Sequence, residues 1–168
     1  MKRLLQLTLV LLITAGLTTV ANAQGNIESR ATVQSTISVT GEQALDFGTI
    51  AQGASSTVSV SDNATVGRFL VTGNGGTVDL DFDLSNATLT GPGADIPITF
   101  GAGSAAWGTG SSSPTYTFDP ANVTDTGTES VNLYDSDIYV FIGGQITAAA
   151  DQTAGDYTGE IILTASYN

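Results

Sequence analysis

The sequence predicts an all-β chain folded as an antiparallel sandwich, and three observations carry that reading. After residue 23, short runs of alternating apolar residues are separated by clusters of Gly, Thr, Ser, Asp and Asn, the pattern of strands joined by turns. No window beyond the first 23 residues repeats its apolar positions at the 3.6-residue period of a helix. The clearest run, Val78-Asp79-Leu80-Asp81-Phe82-Asp83-Leu84, puts four apolar side chains on one face and three carboxylates on the other, as in a strand with one face in a core and one in water.

The elements follow in chain order. Residues 1–23 have the three parts of an export leader: Lys2 and Arg3, an apolar run, and Ala21-Asn22-Ala23 as a small-residue cleavage site. The mature chain is therefore expected to be 24–168, secreted through the periplasm, with no later apolar run long enough to span a bilayer. Segment 24–40 alternates Ile27, Ala31, Val33, Ile37 and Val39 along one face. That pattern suits both a strand given to a neighbouring molecule and the chain's own first strand, because period two is the same in either. Residues 41–168 form the expected sandwich domain.

Predicted strands cover 32–40 in the N-terminal segment and 44–50, 57–61, 67–72, 77–85, 96–100, 115–118, 130–133, 137–142 and 157–167 in the sandwich domain. Their spacing suggests an immunoglobulin-like arrangement. Gly73-Asn74-Gly75-Gly76 reads as a tight hairpin connection. Residues 101–113 read as a Gly/Ser-rich loop holding the sole tryptophan, Trp107. In the last strand Tyr157, Gly159, Ile161, Leu163, Ala165 and Tyr167 share one face.

Composition removes several function classes. Of four cations, Lys2 and Arg3 belong to the leader, which leaves Arg30 and Arg68 against sixteen acids, a formal charge of −14. Such a surface repels nucleic acid and anionic lipid. The chain has no cysteine and no histidine, so disulfides, thiolate nucleophiles, imidazole bases and the usual zinc ligands are missing.

Asp79, Asp81 and Asp83 alternate with bulky apolar residues, where a calcium loop needs a turn with glycine. Asp125-Thr126-Gly127 has the letters of an aspartic peptidase motif, but it reads as a turn. Ser61-Asp62-Asn63 copies one β-lactamase element, whose chemistry needs a lysine that the mature chain lacks. No catalytic residue, cofactor or metal ligand is expected, and the chain is not read as an enzyme.

Leu45-Asp46-Phe47-Gly48-Thr49-Ile50, Gly67-Arg68-Phe69-Leu70-Val71-Thr72-Gly73, and Ala154-Gly155-Asp156-Tyr157-Thr158-Gly159 running on to Tyr167-Asn168 resemble a bacterial surface family called domain of unknown function 4402. The outline is also similar to spore-coat-U-like subunits of archaic chaperone-usher pili. Pilins of that kind carry a glycine fourteen residues from the end and a penultimate aromatic; here Gly155 and Tyr167 occupy those places. The cysteine pair of many pilins is absent.

The resemblance implies an incomplete sandwich whose groove is filled by a neighbour's N-terminal strand. Ile27, Ala31, Val33, Ile37 and Val39 would then be the donor positions. Gly155, Tyr157, Ile161, Leu163, Ala165 and Tyr167 would border the acceptor groove, shielded before assembly by a periplasmic chaperone and passed to an outer-membrane usher. The expected function is a pilin-like subunit of an extracellular fibre that forms a head-to-tail homopolymer. The alternative is a monomeric adhesive sandwich that binds carbohydrate through Trp107.

Overall fold

A computed structural model describes residues 28, 30, 31, 36–121, 131–133 and 137–168. The leader, Ile27 and Val33 of the candidate donor, and Asp125-Thr126-Gly127 lie outside the described residues. Two units are distinguished, 1–33 and 34–168. In the first, Arg30 forms an exposed ion pair with Glu28 at 2.8 Å.

The second unit is an antiparallel β-sandwich, with no helix among the described residues. Its strands are β1 (Ile37–Gln43), β2 (Ser55–Val58), β3 (Gly67–Gly73), β4 (Thr77–Asp83), β5 (Thr88–Leu89) and β6 (Ile96–Thr99). They continue as β7 (Ala105–Gly108), β8 (Tyr116–Phe118), β9 (Val131–Asn132), β10 (Ile138–Ile142), β11 (Gly144–Thr147) and β12 (Ile162–Tyr167). Three open sheets result, ordered β1-β3-β10-β7-β8, β2-β11-β6-β5 and β12-β4-β9.

The central strands β10 and β7 of the five-stranded sheet are covered on both faces. In β10 the side chains of Ile138, Val140 and Ile142 enter one core with Val71, Leu80, Phe82 and Leu163, while Phe141 enters a second core with Phe47, Val58, Ile96 and Ile146. This explains why Ile138-Tyr139-Val140-Phe141-Ile142 is apolar throughout, since a strand covered on both sides has no polar face. Leu84, Phe100 and Ile161 touch both cores. Between β10 and β11 a Cβ on Gly143 would overlap the Val58 carbonyl, so glycine lets the chain pass there from one sheet to the next.

The aspartate stripe of β4 behaves as the alternation requires. Val78, Leu80 and Phe82 are buried, and Asp79, Asp81 and Asp83 stand on the opposite face, across from Ser166, Thr164 and Ile162 of β12.

Four sequence expectations change, the first being the last strand, which covers only Ile162–Tyr167 because the chain at 155–161 turns through the corner at Tyr157. Residues 73–76 do not close a hairpin: β3 pairs with β1 and β10, whereas β4 pairs with β12 and β9, so this glycine turn arches between sheets. Gly75 and Gly76, at φ 81° and 112°, supply the left-handed backbone that the arch needs. Residues 101–113 are not all loop, because β7 runs through them and pairs with β10 and β8. Residues 44–50 alternate but form no strand, since Asp46 Oδ1 accepts the Gly48 N–H at 2.8 Å and Gly48 turns the chain at φ 67°.

Candidate functional site

β1 is an edge of the five-stranded sheet and β12 is an edge of the three-stranded sheet, and the two lie side by side. The seam between them is closed at one end and open at the other.

The closed end is built on Tyr167. Its hydroxyl donates to the Thr36 carbonyl at 2.9 Å and accepts the Asn74 N–H at 3.1 Å. Asn74 Nδ2 adds a bond to Thr36 Oγ1 at 3.2 Å. The Tyr167 side chain reaches this position only because Gly73 and Gly76 have no Cβ: one on Gly73 would lie 2.6 Å from the hydroxyl, and one on Gly76 3.1 Å from the ring. Leu163 sits in the first core, and Ala165 and Tyr167 pack against it. The inward face expected for Leu163, Ala165 and Tyr167 is the one observed.

Beyond Gln43 the seam opens into two adjoining cavities. One, of ≈ 370 Å³, is lined by Gly41, Leu45, Phe47, Phe69, Ile98, Ile142 and Ile161. The next, of ≈ 700 Å³, runs between residues 44–52 and 152–159 and includes Ile50, Ile96, Ile146 and Tyr157. Ala44, Leu45, Phe47, Leu89 and Gly159 line both, which makes them one groove, whose lining mixes these apolar residues with polar ones such as Glu42, Gln43, Gln52, Asp156 and Glu160. Both walls are described in full, and no backbone hydrogen bond joins 44–50 to 155–161.

Each wall is held from its outer side. Asp46 N–H donates to the Thr65 carbonyl at 2.8 Å, the Phe47 carbonyl accepts Ser56 Oγ at 2.8 Å, and the Phe47 ring is buried in the second core. Opposite, Thr90 and Thr158 exchange N–H and carbonyl bonds at 2.7 and 3.0 Å. The Tyr157 hydroxyl donates to the Thr153 carbonyl and accepts Gln152 Nε2, both at 2.8 Å. Gln152, only 7% exposed, also donates to the Ala94 carbonyl at 2.6 Å.

The Tyr157 ring lies against Gly91 and its hydroxyl against Gly93, where a Cβ has no room; Gly155, at φ 148°, backs onto Pro92. The wall is therefore a locked corner. Where β12 leaves it, Ser85 holds the Asp83 carboxyl below its ordinary value, first through its hydroxyl at 2.6 Å and then through its N–H at 3.1 Å.

The expected site residues divide as follows. Ile161 lines the groove, Gly155 and Tyr157 form the corner beside it, and Leu163, Ala165 and Tyr167 belong to the closed part of the seam. Ile37 and Val39 lie in β1, paired with Gly73 and Val71 of the chain's own β3. Ala31 is exposed. Trp107 stands on β7, not in a loop, and its ring stacks on Tyr116 at 4.3 Å between centroids and 25° between planes.

Gln152, Leu89 and Ile98 were not among the site residues expected from the sequence. The one available signal was Gly91-Pro92-Gly93, whose two glycines mark the close approach of Tyr157.

Residues 37–167, from the first residue of β1 to the last of β12, match the family described as Domain of unknown function (DUF4402). No curated protein matches.

Proposed function

The chain belongs to the DUF4402 family, and from that premise we propose that it is a structural subunit of an extracellular fibre, polymerising by β-strand donation. The observation that supports this most is the groove between residues 41–50 and 155–161, floored by Leu45, Phe47, Phe69, Ile98 and Ile161, whose walls are each fastened from behind and share no backbone hydrogen bond. The groove continues the free edges of β1 and β12, and a free edge can take an added strand, with main-chain bonds for affinity and pockets for alternate side chains.

The donor is the stretch before β1. Ile37 and Val39 pair in cis, so donation falls to Ile27, Ala31 and Val33. Residues 24–36 reach roughly 40 Å when extended at about 3.3 Å per residue, ample for the seven-residue wall 155–161. Insertion into the next copy makes a head-to-tail homopolymer. In this reading the leader exports the chain, and a periplasmic chaperone covers the groove until an usher brings the next donor.

The test compares the mature chain, 24–168, with a form starting at Gln34, which keeps Thr36 and its bonds to Tyr167 and Asn74, by size exclusion and electron microscopy. Filaments and SDS-resistant ladders from the first and a folded monomer from the second are expected. A mature chain that remains a stable monomer, with a truncation that only unfolds, overturns the reading.

A second reading has its own observation. Tyr116, 54% exposed on the edge strand β8, is backed by the Trp107 ring, a surface on which a sugar ring stacks in a monomeric adhesive sandwich. Sugar binding lost in Trp107→Ala, with no polymer formed by the parent chain, would favour it.

A further inference from the structure

We propose that Arg30 of one copy pairs with Glu160 on the groove wall of the next, and that this pair sets the register in which the donor strand enters. The inference rests on the fibre reading above and adds to it a specific contact and a salt dependence.

It begins with charge. The mature chain has two cations, and Arg68 is committed: its Nε lies 3.1 Å from Glu42 Oε2 and its Nη1 donates to the Ser111 carbonyl at 2.9 Å. Arg30 is the only other one, and it falls within the donor segment. Its pair with Glu28 is fully in solvent, with side chains 82% and 71% exposed. An exposed pair two residues apart contributes little and is readily exchanged.

The groove wall offers the complementary charge. With Ile161 turned into the groove, Glu160 is exposed beside it, and Asp156 is exposed further along the same wall. Among the described residues Glu160 has no ion pair. Of the acids on the opposite wall, Glu42 is taken by Arg68 and Asp46 accepts the Gly48 N–H. Of the two acids lining the cavity that Ile161 enters, Glu42 and Glu160, Glu160 is thus the one that remains available.

Alternation brings the two groups to the same side. If Ile27, Ala31 and Val33 face the core, Arg30 faces solvent, as Glu160 does. With Arg30 beside Glu160, the small Ala31 meets the wall at Gly159 or Ile161 in either strand direction. A one-residue slip would turn Arg30 into the groove. Between subunits of charge −14 such a pair also replaces a repulsion at the point of contact.

The experiment follows assembly of full mature chains by light scattering at low and high salt, using R30E, E160R, R30K and an equimolar mixture of R30E and E160R. Circular dichroism of each variant checks that the sandwich is retained. R30E alone and E160R alone should each assemble about tenfold more slowly at low salt, since each places like charges together, and R30K should assemble as the parent does. The mixture should recover the parental rate, because every R30E donor then meets an E160R acceptor and every unaltered donor meets an unaltered acceptor.

If the parent assembles but R30E matches it and the mixture gains nothing, the pairing is wrong and strand donation stands. If the parent does not assemble, the fibre reading fails and the pairing fails with it.

Discussion

The two ends of the β1–β12 seam are made from one alternating pattern and reach opposite outcomes. At the Tyr167 end a phenolic hydroxyl is held between Thr36 and Asn74, and two glycines admit the side chain beneath the arch. At the Tyr157 end the hydroxyl is turned away from the facing wall and bonds within its own loop, to Thr153 and Gln152. The same residue type closes the seam in one place and keeps its wall back in the other. What differs is the carbonyl within reach of the ring, and with it whether the edge is sealed or left for another strand.

Substitutions along the seam separate these roles. The largest loss of stability is expected for Tyr167→Ala, which removes both hydroxyl bonds and the ring packed against the first core. About 3–4 kcal/mol should be lost, read by urea unfolding. Tyr157→Phe deletes only the hydroxyl shared by Gln152 and Thr153, and should cost about 1–2 kcal/mol by the same measurement while loosening the groove wall. Arg68→Ala releases Glu42 and the Ser111 carbonyl, and a loss of about 1 kcal/mol is expected, smaller at high salt.

The smallest effect on stability should accompany the largest effect on assembly. A Cβ on Gly41 would meet only the Phe69 ring, at an ordinary 3.9 Å, so Gly41→Leu projects a side chain into the groove with a change in unfolding free energy within about 0.5 kcal/mol. Filament formation should nevertheless stop, as seen by electron microscopy. If Gly41→Leu assembles normally, the open end is not where the strand enters.

Much of the fold was legible because most strands have one wet face. The aspartates of β4 and the inward set Leu163, Ala165 and Tyr167 of β12 could be placed from period two alone. β7 could not, because Ala105 packs in the first core and Ala106 in the second; a strand covered on both faces loses its alternation. Segment 44–50 misled in the other direction. Leu45 and Phe47 alternate inward, yet the Asp46 side chain and the left-handed Gly48 end the ladder locally.

The turn 73–76 has the same glycines whether it closes a hairpin or arches between sheets, so its letters do not choose. At the site, Tyr167 announced itself by its place near the end of an apolar face. Gly155 and Tyr157 were also expected at the groove, but as part of a strand; the corner they form was not legible, because it is anchored on the backbone carbonyls of Ala94 and Thr153, and a carbonyl has no signature in a sequence.

The central claim is that residues 41–50 and 155–161, which extend the edges β1 and β12, form a groove that takes one added strand, and backbone amide exchange tests it most directly. The mature chain should be followed by hydrogen–deuterium exchange before and after assembly. Amides of 159–161, and those of 44–50 other than the bonded Asp46 and Gly48, should exchange quickly at first and become strongly protected in the assembled state, while those of β12 near Tyr167 change little. Equal exchange at 159–161 in both states would contradict the account.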